Sequence, residues 1–334
     1  MNIKPIKTIH ISDKVDFSGT ANNQNHYILN GKPNKYYVFN KNFEMIKQFE
    51  TPYIRTKLCT IHPTKEIITI CDEDNFFHVV DFDGKDIWKK DGEYIAANWN
   101  LGGEYLYTLS RIDKNNLKLI IYDNFGEVIA QKDFEDELYE SAALISAIPN
   151  SNEILLELMA GQDGCITIFV NFSDGEIIFR SLHEKYSYTD LSFNNEGTYF
   201  LCIENDESTI HHFSYPALKE IGIYEHDSED GNLEYTLIHL EKTAIVCYDD
   251  NYYVLNLENM KISEDLIIEG HEPVPTREIY KNLDDDFLIC DISYMCGAGD
   301  YIVGCAIRDN ESDVVIMKKS DFIFDKQIYD DYKI

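Results

Sequence analysis

Basic residues are scarce in this chain. Its 334 residues include 29 Lys and Arg against 60 Asp and Glu, which gives a formal net charge of −31 at pH 7. A protein that binds nucleic-acid phosphates through charge needs an excess of Lys and Arg, so we do not expect a nucleic-acid binder. Apolar residues still make up 44% of the chain and aromatic residues 13%. This content is too high for a disordered acidic polypeptide and predicts a large packed core.

Long apolar runs are also missing. The sequence contains no stretch of 18 or more apolar residues, which is the length needed to cross a bilayer. Residues 1–7 lack the apolar centre of a secretory signal. These absences favour a cytoplasmic protein with no membrane partner. The eight cysteines show no Cys-x-x-Cys spacing and lie mostly in apolar segments, which favours buried free thiols over a zinc or disulfide role.

The sequence contains no clear signature of enzymatic chemistry. It has no Gly-x-Ser-x-Gly string, and the glycines at 297 and 299 lack the third glycine of a dinucleotide-binding fingerprint. His211 and His212 are adjacent in a predicted strand, so their side chains point to opposite faces and cannot share one metal ion. The other histidines are scattered. We therefore predict no catalytic residue, no metal site and no cofactor. Acidic runs such as 72–75 offer oxygen ligands without EF-hand spacing, which leaves a calcium ion as an alternative.

A strand-like apolar segment that ends in a polar residue recurs along the chain. Successive copies end 41, 42, 48, 43, 42 and 62 residues apart, and each interval holds several runs rich in Val, Ile, Tyr and Phe. The pattern predicts seven units of four short strands, with six or eight units as alternatives. The copies end at Asn40, Asp81, Asp123, Asn171, Ser214, Asn256 and, more weakly, Lys318.

Two polar turns recur within these units. One follows the third strand, as in Asp81-Phe82-Asp83-Gly84, and the other precedes the second strand, as in Asn194-Asn195-Glu196-Gly197. With this order of strands and turns, the chain resembles the WD40-like β-propellers over essentially its full length. The resemblance implies an all-β fold, with a single propeller domain at 1–334, most simply seven four-stranded blades, and an insertion at about 261–286.

The chain departs from that family in its signature residues. No Trp-Asp pair ends a third strand, so the Asp–His–Ser/Thr–Trp hydrogen-bond network of the family cannot be assigned to residues here.

Two segments could complete the last blade: the alternating residues 6–11, and the C-terminal residues 322–324 with 327–329. We expect both ends to contribute, because closing the ring removes sheet edges.

Acidic residues concentrate in one class of loop. In a propeller, the loop between the second and third strands lies on the same face as the connection between blades. Six loops of the first kind contain 12 acids and one base, and four connections contain another 12 acids and one base. Seven turns on the opposite face contain 6 acids and two bases. A focused negative potential attracts a basic partner, although acidic loops that only keep the protein soluble are the alternative.

We therefore expect a non-enzymatic interaction module whose acidic face binds a basic protein or peptide. An immunity or inhibitor protein that masks a basic toxin or nuclease is one possible form. The alternatives are a structural scaffold and a propeller enzyme, such as a metal-dependent hydrolase or lactonase with a central-channel site that uses Asp190 or Asp291. The predicted partner-binding residues are Asp72, Glu73, Asp74, Asp113, Asp206, Glu207, Asp249, Asp250, Asp309 and Glu311, with His271 and Tyr280 from the insertion.

Overall fold

A computed structural model provides the fold. In the described residues its regular elements are β-strands, apart from one 3-10 helix at Lys319–Asp321. The chain divides into two compact units, one formed by Asp13–Thr189 and the other by Met1–Ser12 together with Asp190–Ile334. No helix in the described part of the chain is long and apolar enough to span a membrane. The structure describes residues 2–22, 25–31, 34–52, 56–72, 74–113, 116–135, 142–159, 165–182, 188–204, 209–225, 233–240, 242–248, 251–265, 267–268, 292–298, 300–307 and 311–321.

The chain begins with two strands, β1 (Asn2–Ile3) and β2 (Lys7–Ile11). Four antiparallel sheets then form the unit Asp13–Thr189, and in each sheet the strands pair in chain order. The first sheet contains β3 (Val15–Asn22), β4 (His26–Gly31), β5 (Lys35–Asn40) and β6 (Met45–Glu50). The second contains β7 (Thr56–Ile61), β8 (Ile67–Asp72), β9 (Phe76–Asp81) and β10 (Asp86–Asp91). The next two are β11 (Glu93–Trp99), β12 (Leu106–Asp113), β13 (Asn116–Tyr122), β14 (Val128–Glu135), and β15 (Ala142–Ala147), β16 (Ile154–Met159), β17 (Cys165–Ser173), β18 (Glu176–Ser181).

The other unit contains three more four-stranded sheets. The first contains β19 (Tyr188–Phe193), β20 (Tyr199–Glu204), β21 (Thr209–Ser214) and β22 (Lys219–Glu225). The second contains β23 (Leu233–His239), β24 (Thr243–Tyr248), β25 (Asn251–Asn256) and β26 (Lys261–Asp265). The third contains β28 (Ile292–Ala298), β29 (Tyr301–Ile307) and β30 (Ser312–Lys318) together with β2. The short strand β27 (Ile267–Ile268) pairs in parallel with β1. These seven sheets, blades 1 to 7 in the order given, confirm the predicted seven-bladed all-β propeller.

The last blade is completed by the start of the chain. β2 pairs antiparallel with β30, with Lys7 opposite Ile316 and Ile11 opposite Ser312. This confirms the outer strand predicted at residues 6–11, while the C-terminal candidates at 322–324 and 327–329 lie outside the described residues. The first five residues of the predicted insertion, Lys261–Asp265, are the fourth strand of blade 6. Residues 269–286 of that insertion lie outside the described part of the chain.

In blades 1 to 3, the polar residue that ends the third strand stabilises the turn that follows it. Asn40, Asp81 and Asp123 each accept hydrogen bonds from the backbone N–H groups two and four residues later, at 2.8–3.1 Å. The third residue after each of them has a positive φ, and at two of the three positions it is glycine, Gly84 and Gly126. The sequence repeat is therefore a repeat of side-chain-stabilised turns.

Burial explains the apolar runs of the inner strands. In blade 2, β8 and β9 are buried along most of their length, whereas the outer strand β10 alternates between exposed and half-buried residues. A strand buried on both faces needs a continuous apolar run, and a strand buried on one face needs alternation. The packing between blades 2 and 3 includes Phe77, Tyr94 and Trp99.

Candidate functional site

The strand order of each blade fixes which of its loops share an end. Because neighbouring strands run antiparallel and pair in chain order, the second-to-third loop emerges at the same end as the connections to the neighbouring blades. We call this end of a blade its acidic edge. The first-to-second and third-to-fourth turns emerge at the opposite end, which we call the turn edge. The acid-rich loops therefore share one end within each blade.

Four of the predicted partner-binding residues are described, and all four lie at acidic edges. Asp74 and Asp113 are exposed and Glu311 is half-buried. Asp72 is only 3% exposed. Its carboxylate accepts a hydrogen bond from the backbone N–H of Phe76 at 2.9 Å, so it shapes the loop from within. The other predicted residues lie outside the described part of the chain: Glu73, Asp206, Glu207, Asp249, Asp250, Asp309, His271 and Tyr280.

The structure brings several exposed residues of blades 2 and 3 together at their acidic edges. The backbone N–H of Gly92 donates to the carbonyl of Asn75 at 3.1 Å, which joins the β8–β9 loop to the connection between the blades. Phe76 lies opposite Asp91 in the β9–β10 pairing. Glu93 lies opposite Arg111 in the β11–β12 pairing. The three segments therefore form one continuous surface.

Two apolar side chains are exposed on this surface among the acids. Phe76 is 36% exposed and Ile112 is 52% exposed. Ile112 lies where the register between β12 and β13 shifts, between Arg111 and Asp113, and a bulge of this kind redirects a side chain. We define the blade 2–3 patch as Asp74, Phe76, Asp91, Glu93, Ile112 and Asp113.

Three described basic residues beside the blade 2–3 patch contact side chains of the protein. Arg111 Nε lies 3.3 Å from Glu93 Oε1. Lys89 Nζ lies 5.7 Å from the centroid of the Phe76 ring, and Lys90 Nζ lies 5.9 Å from that of Tyr122. The Asp113 carboxylate accepts from Asn116 Nδ2 at 2.8 Å. The patch contains four exposed acids, and the described bases Arg111, Lys89 and Lys90 face side chains of the protein itself.

Only part of this patch is predicted by the sequence. Asp74 and Asp113 were predicted as partner-binding residues, and the acids at 91 and 93 were counted among the acidic connections. Phe76 and Ile112 were not predicted, because an apolar residue near a strand end has the same sequence pattern whether it is buried or exposed. The bulge at Ile112 has no signal in the sequence that we recognise.

Blade 1 carries a paired base at its acidic edge. Lys35 Nζ lies 3.1 Å from Asp13 Oδ2, and the Tyr37 hydroxyl donates to the same carboxylate. The hydrogen bonds with Tyr37 and Asp13 raise the pKa of Lys35, and burial raises the pKa of Tyr37. This lysine is therefore held against an acid of its own blade.

Two histidines occupy equivalent positions in blades 2 and 5, each between two carboxylates. His78 Nδ1 lies 3.1 Å from Asp86 Oδ1, and its Nε2 lies 3.4 Å from Asp72 Oδ2. His211 Nδ1 lies 2.7 Å from Glu220 Oε2, and its Nε2 lies 3.2 Å from Glu204 Oε2. The two nitrogens of each ring thus face different carboxylates. Among the described residues, no group of three or more side chains is arranged to hold a metal ion.

His62 has a structural role at the turn edge of blade 2. Its ring is 1% exposed, and Nδ1 accepts from the backbone N–H groups of Thr64 and Lys65 at 3.1 and 3.0 Å. Its Nε2 lies 2.9 Å from the carbonyl of Gly103 and 3.2 Å from Asn124 Oδ1. This pattern fits a neutral imidazole whose only proton is on Nε2. Burial lowers the pKa of His62 below its ordinary value of 6.5, and burial likewise lowers the pKa of His212.

These two histidines predict that acidification destabilises the protein. The pKa values of these histidines are lower in the folded than in the unfolded chain. The unfolded chain therefore binds more protons below about pH 6.5, and the free energy of unfolding decreases as the pH is lowered through this range. Thermal melts between about pH 7.5 and about pH 5.5 should show this fall. In His62→Asn the amide oxygen can accept the same two backbone N–H groups, and the fall should be smaller. A pH dependence unchanged in His62→Asn would contradict the assignment of His62.

In comparisons with known proteins, no family model matches this chain and no curated protein matches it.

Proposed function

We propose that this protein is a non-enzymatic interaction module that binds a basic protein partner through the acidic edges of its blades. The supporting observation is the strand order, because it gathers the acid-rich loops at one end of each blade. The exposed acids of the blade 2–3 patch are a described example. A cytoplasmic, WD40-like adaptor or an inhibitor that masks a basic protein fits this chemistry. The partner would associate quickly at low salt and more slowly at high salt.

Charge neutralisation at one edge tests the proposal. The triple variant Asp74→Asn, Asp91→Asn, Asp113→Asn removes three exposed acids from the acidic edges of blades 2 and 3. With a fluorescent oligolysine peptide as the probe, we expect its Kd at low salt to rise about tenfold, at roughly 0.5 kcal/mol for each exposed charge. The difference should shrink at high salt, because added ions screen exposed charges.

A matched variant removes the same number of acids from the turn edges. Glu127, Asp174 and Glu176 are exposed and follow the third strands of blades 3 and 4. The triple variant Glu127→Gln, Asp174→Asn, Glu176→Gln should change the Kd less than about twofold. It removes three negative charges, as the acidic-edge variant does, but removes them away from the acidic edges. Equal losses in the two triple variants would show that only the overall charge matters and would refute the proposed face.

A further inference from the structure

We infer that the blade 2–3 patch is the anchor point of the partner and that it takes a basic segment with apolar side chains between its Lys or Arg residues. This inference rests on the proposed function and adds the chemistry of the partner. The first supporting observation is the exposure of Phe76 and Ile112. Other apolar residues of the same strands and hairpins are buried, such as Phe77 at 0% and Leu117 at 3% exposure. Single exposed apolar residues are common, but here two are joined by acids on one continuous surface.

The distance between the two apolar residues suits a short segment. The chain of backbone neighbours runs from Phe76 to Asp91, along the connection to Glu93, across to Arg111 and on to Ile112. Pairs of Cα atoms across antiparallel strands lie roughly 5 Å apart and consecutive Cα atoms 3.8 Å apart, so Phe76 and Ile112 are within about 22 Å of each other. An extended segment of about seven residues covers that distance.

The charges select the composition of that segment. Asp74, Asp91 and Asp113 are exposed, and the side chain of Glu93 is 48% exposed. The nearby bases Arg111 and Lys89 face Glu93 and Phe76. An acidic segment would be repelled by these exposed acids, and a neutral apolar segment would offer them no complementary charge. A basic segment with apolar residues would place its cations beside these acids and cover Phe76 and Ile112, as apolar centres ringed by polar groups do in protein interfaces.

Two synthetic peptides of equal length and equal positive charge test the inference. One alternates Lys with Leu, and the other alternates Lys with Ser. We expect the full-length protein to bind the Lys–Leu peptide about tenfold more tightly, as expected for burying one to two apolar side chains. Phe76→Ser and Ile112→Ser should each remove most of this preference and leave the Kd of the Lys–Ser peptide unchanged. Ile112→Thr, which keeps the branched shape favoured in strands, should do the same and guards against misfolding.

A control variant separates the patch from general apolar adhesion. Phe125 is 82% exposed and lies in the turn between β13 and β14, at the turn edge of blade 3. Phe125→Ser should leave the preference for the Lys–Leu peptide intact. A loss as large as that of Phe76→Ser would overturn the inference, because any exposed aromatic residue would then suffice.

The two peptides also distinguish this inference from the proposed function. If both bind equally, with a salt dependence that the acidic-edge triple variant removes, the proposed function stands and the apolar anchor is wrong. If neither binds, the proposed function fails and the inference fails with it. If the Lys–Leu peptide is preferred and the preference depends on Phe76 and Ile112 alone, both are supported.

Discussion

Replacing Gly103 with alanine is expected to lower the free energy of unfolding by about 3 kcal/mol. Gly103 has a φ of +74°, which costs a residue with a side chain about 1 kcal/mol. A Cβ at this position would also lie 2.3 Å from Cε1 of His62. The buried His62 ring cannot easily yield, because its nitrogens bond to both turns and its centroid lies 4.6 Å from that of the Trp99 ring. Overpacking of this kind costs about 2 kcal/mol more.

Gly175→Ala is the matched control for this substitution. Gly175 has a similar φ of +81°, but no atom of the described residues lies within 4 Å of a Cβ built there. This variant should therefore lose only the backbone contribution, about 1 kcal/mol. Chemical denaturation of the two variants and the natural chain measures the difference. Equal losses would mean that the contact between Gly103 and His62 contributes nothing, and that the turn can move to accept a methyl group.

The blades could be predicted from the sequence because the signals that define them are local. Asn40, Asp81 and Asp123 each stabilise a turn within four residues of themselves, so their spacing along the chain is the spacing of the blades. The same holds for the first-to-second turns. Asn100 and Asn194 each accept a backbone N–H from the residue five positions later. Interactions of this range leave a periodic trace in the sequence.

The roles that depend on contacts between strands or blades could not be predicted. His62 occupies the turn position that Asn100 and Asn194 hold in other blades. In the sequence it looks like one more scattered histidine, because a ring nitrogen accepts the backbone N–H groups here where an amide oxygen accepts them in the other two turns. Its contact with Trp99 joins residues 37 positions apart in the chain. The candidate site shows the same limit, since the β9–β10 and β11–β12 pairings are what place Phe76 and Ile112 on the same surface. Acidic loops were visible in the sequence, whereas the apolar residues among them were not.

Trp99 provides a polar link between blades 2 and 3. Its Nε1–H donates to Thr69 Oγ1 at 3.1 Å, and its ring contacts His62. Thr69 lies in β8 and Trp99 ends β11, so this His–Trp–Thr set joins blades 2 and 3.

Trp99→Ala is expected to lower the free energy of unfolding by about 4 kcal/mol, because the side chain is 1% exposed and its removal opens a large cavity. Denaturation followed by circular dichroism measures the loss. A loss below about 1 kcal/mol would contradict the packing described here.

Thr69→Val separates the hydrogen bond from the packing. It keeps the shape of the side chain but leaves the buried indole N–H without its acceptor, which should cost about 2 kcal/mol. Trp99→Phe removes that N–H, so adding Thr69→Val to Trp99→Phe should cost much less than Thr69→Val alone. Additive losses would mean that Thr69 and Trp99 stabilise their blades independently. Non-additive losses would show that one hydrogen bond between β8 and β11 couples blade 2 to blade 3 and supports the two blades that carry the patch.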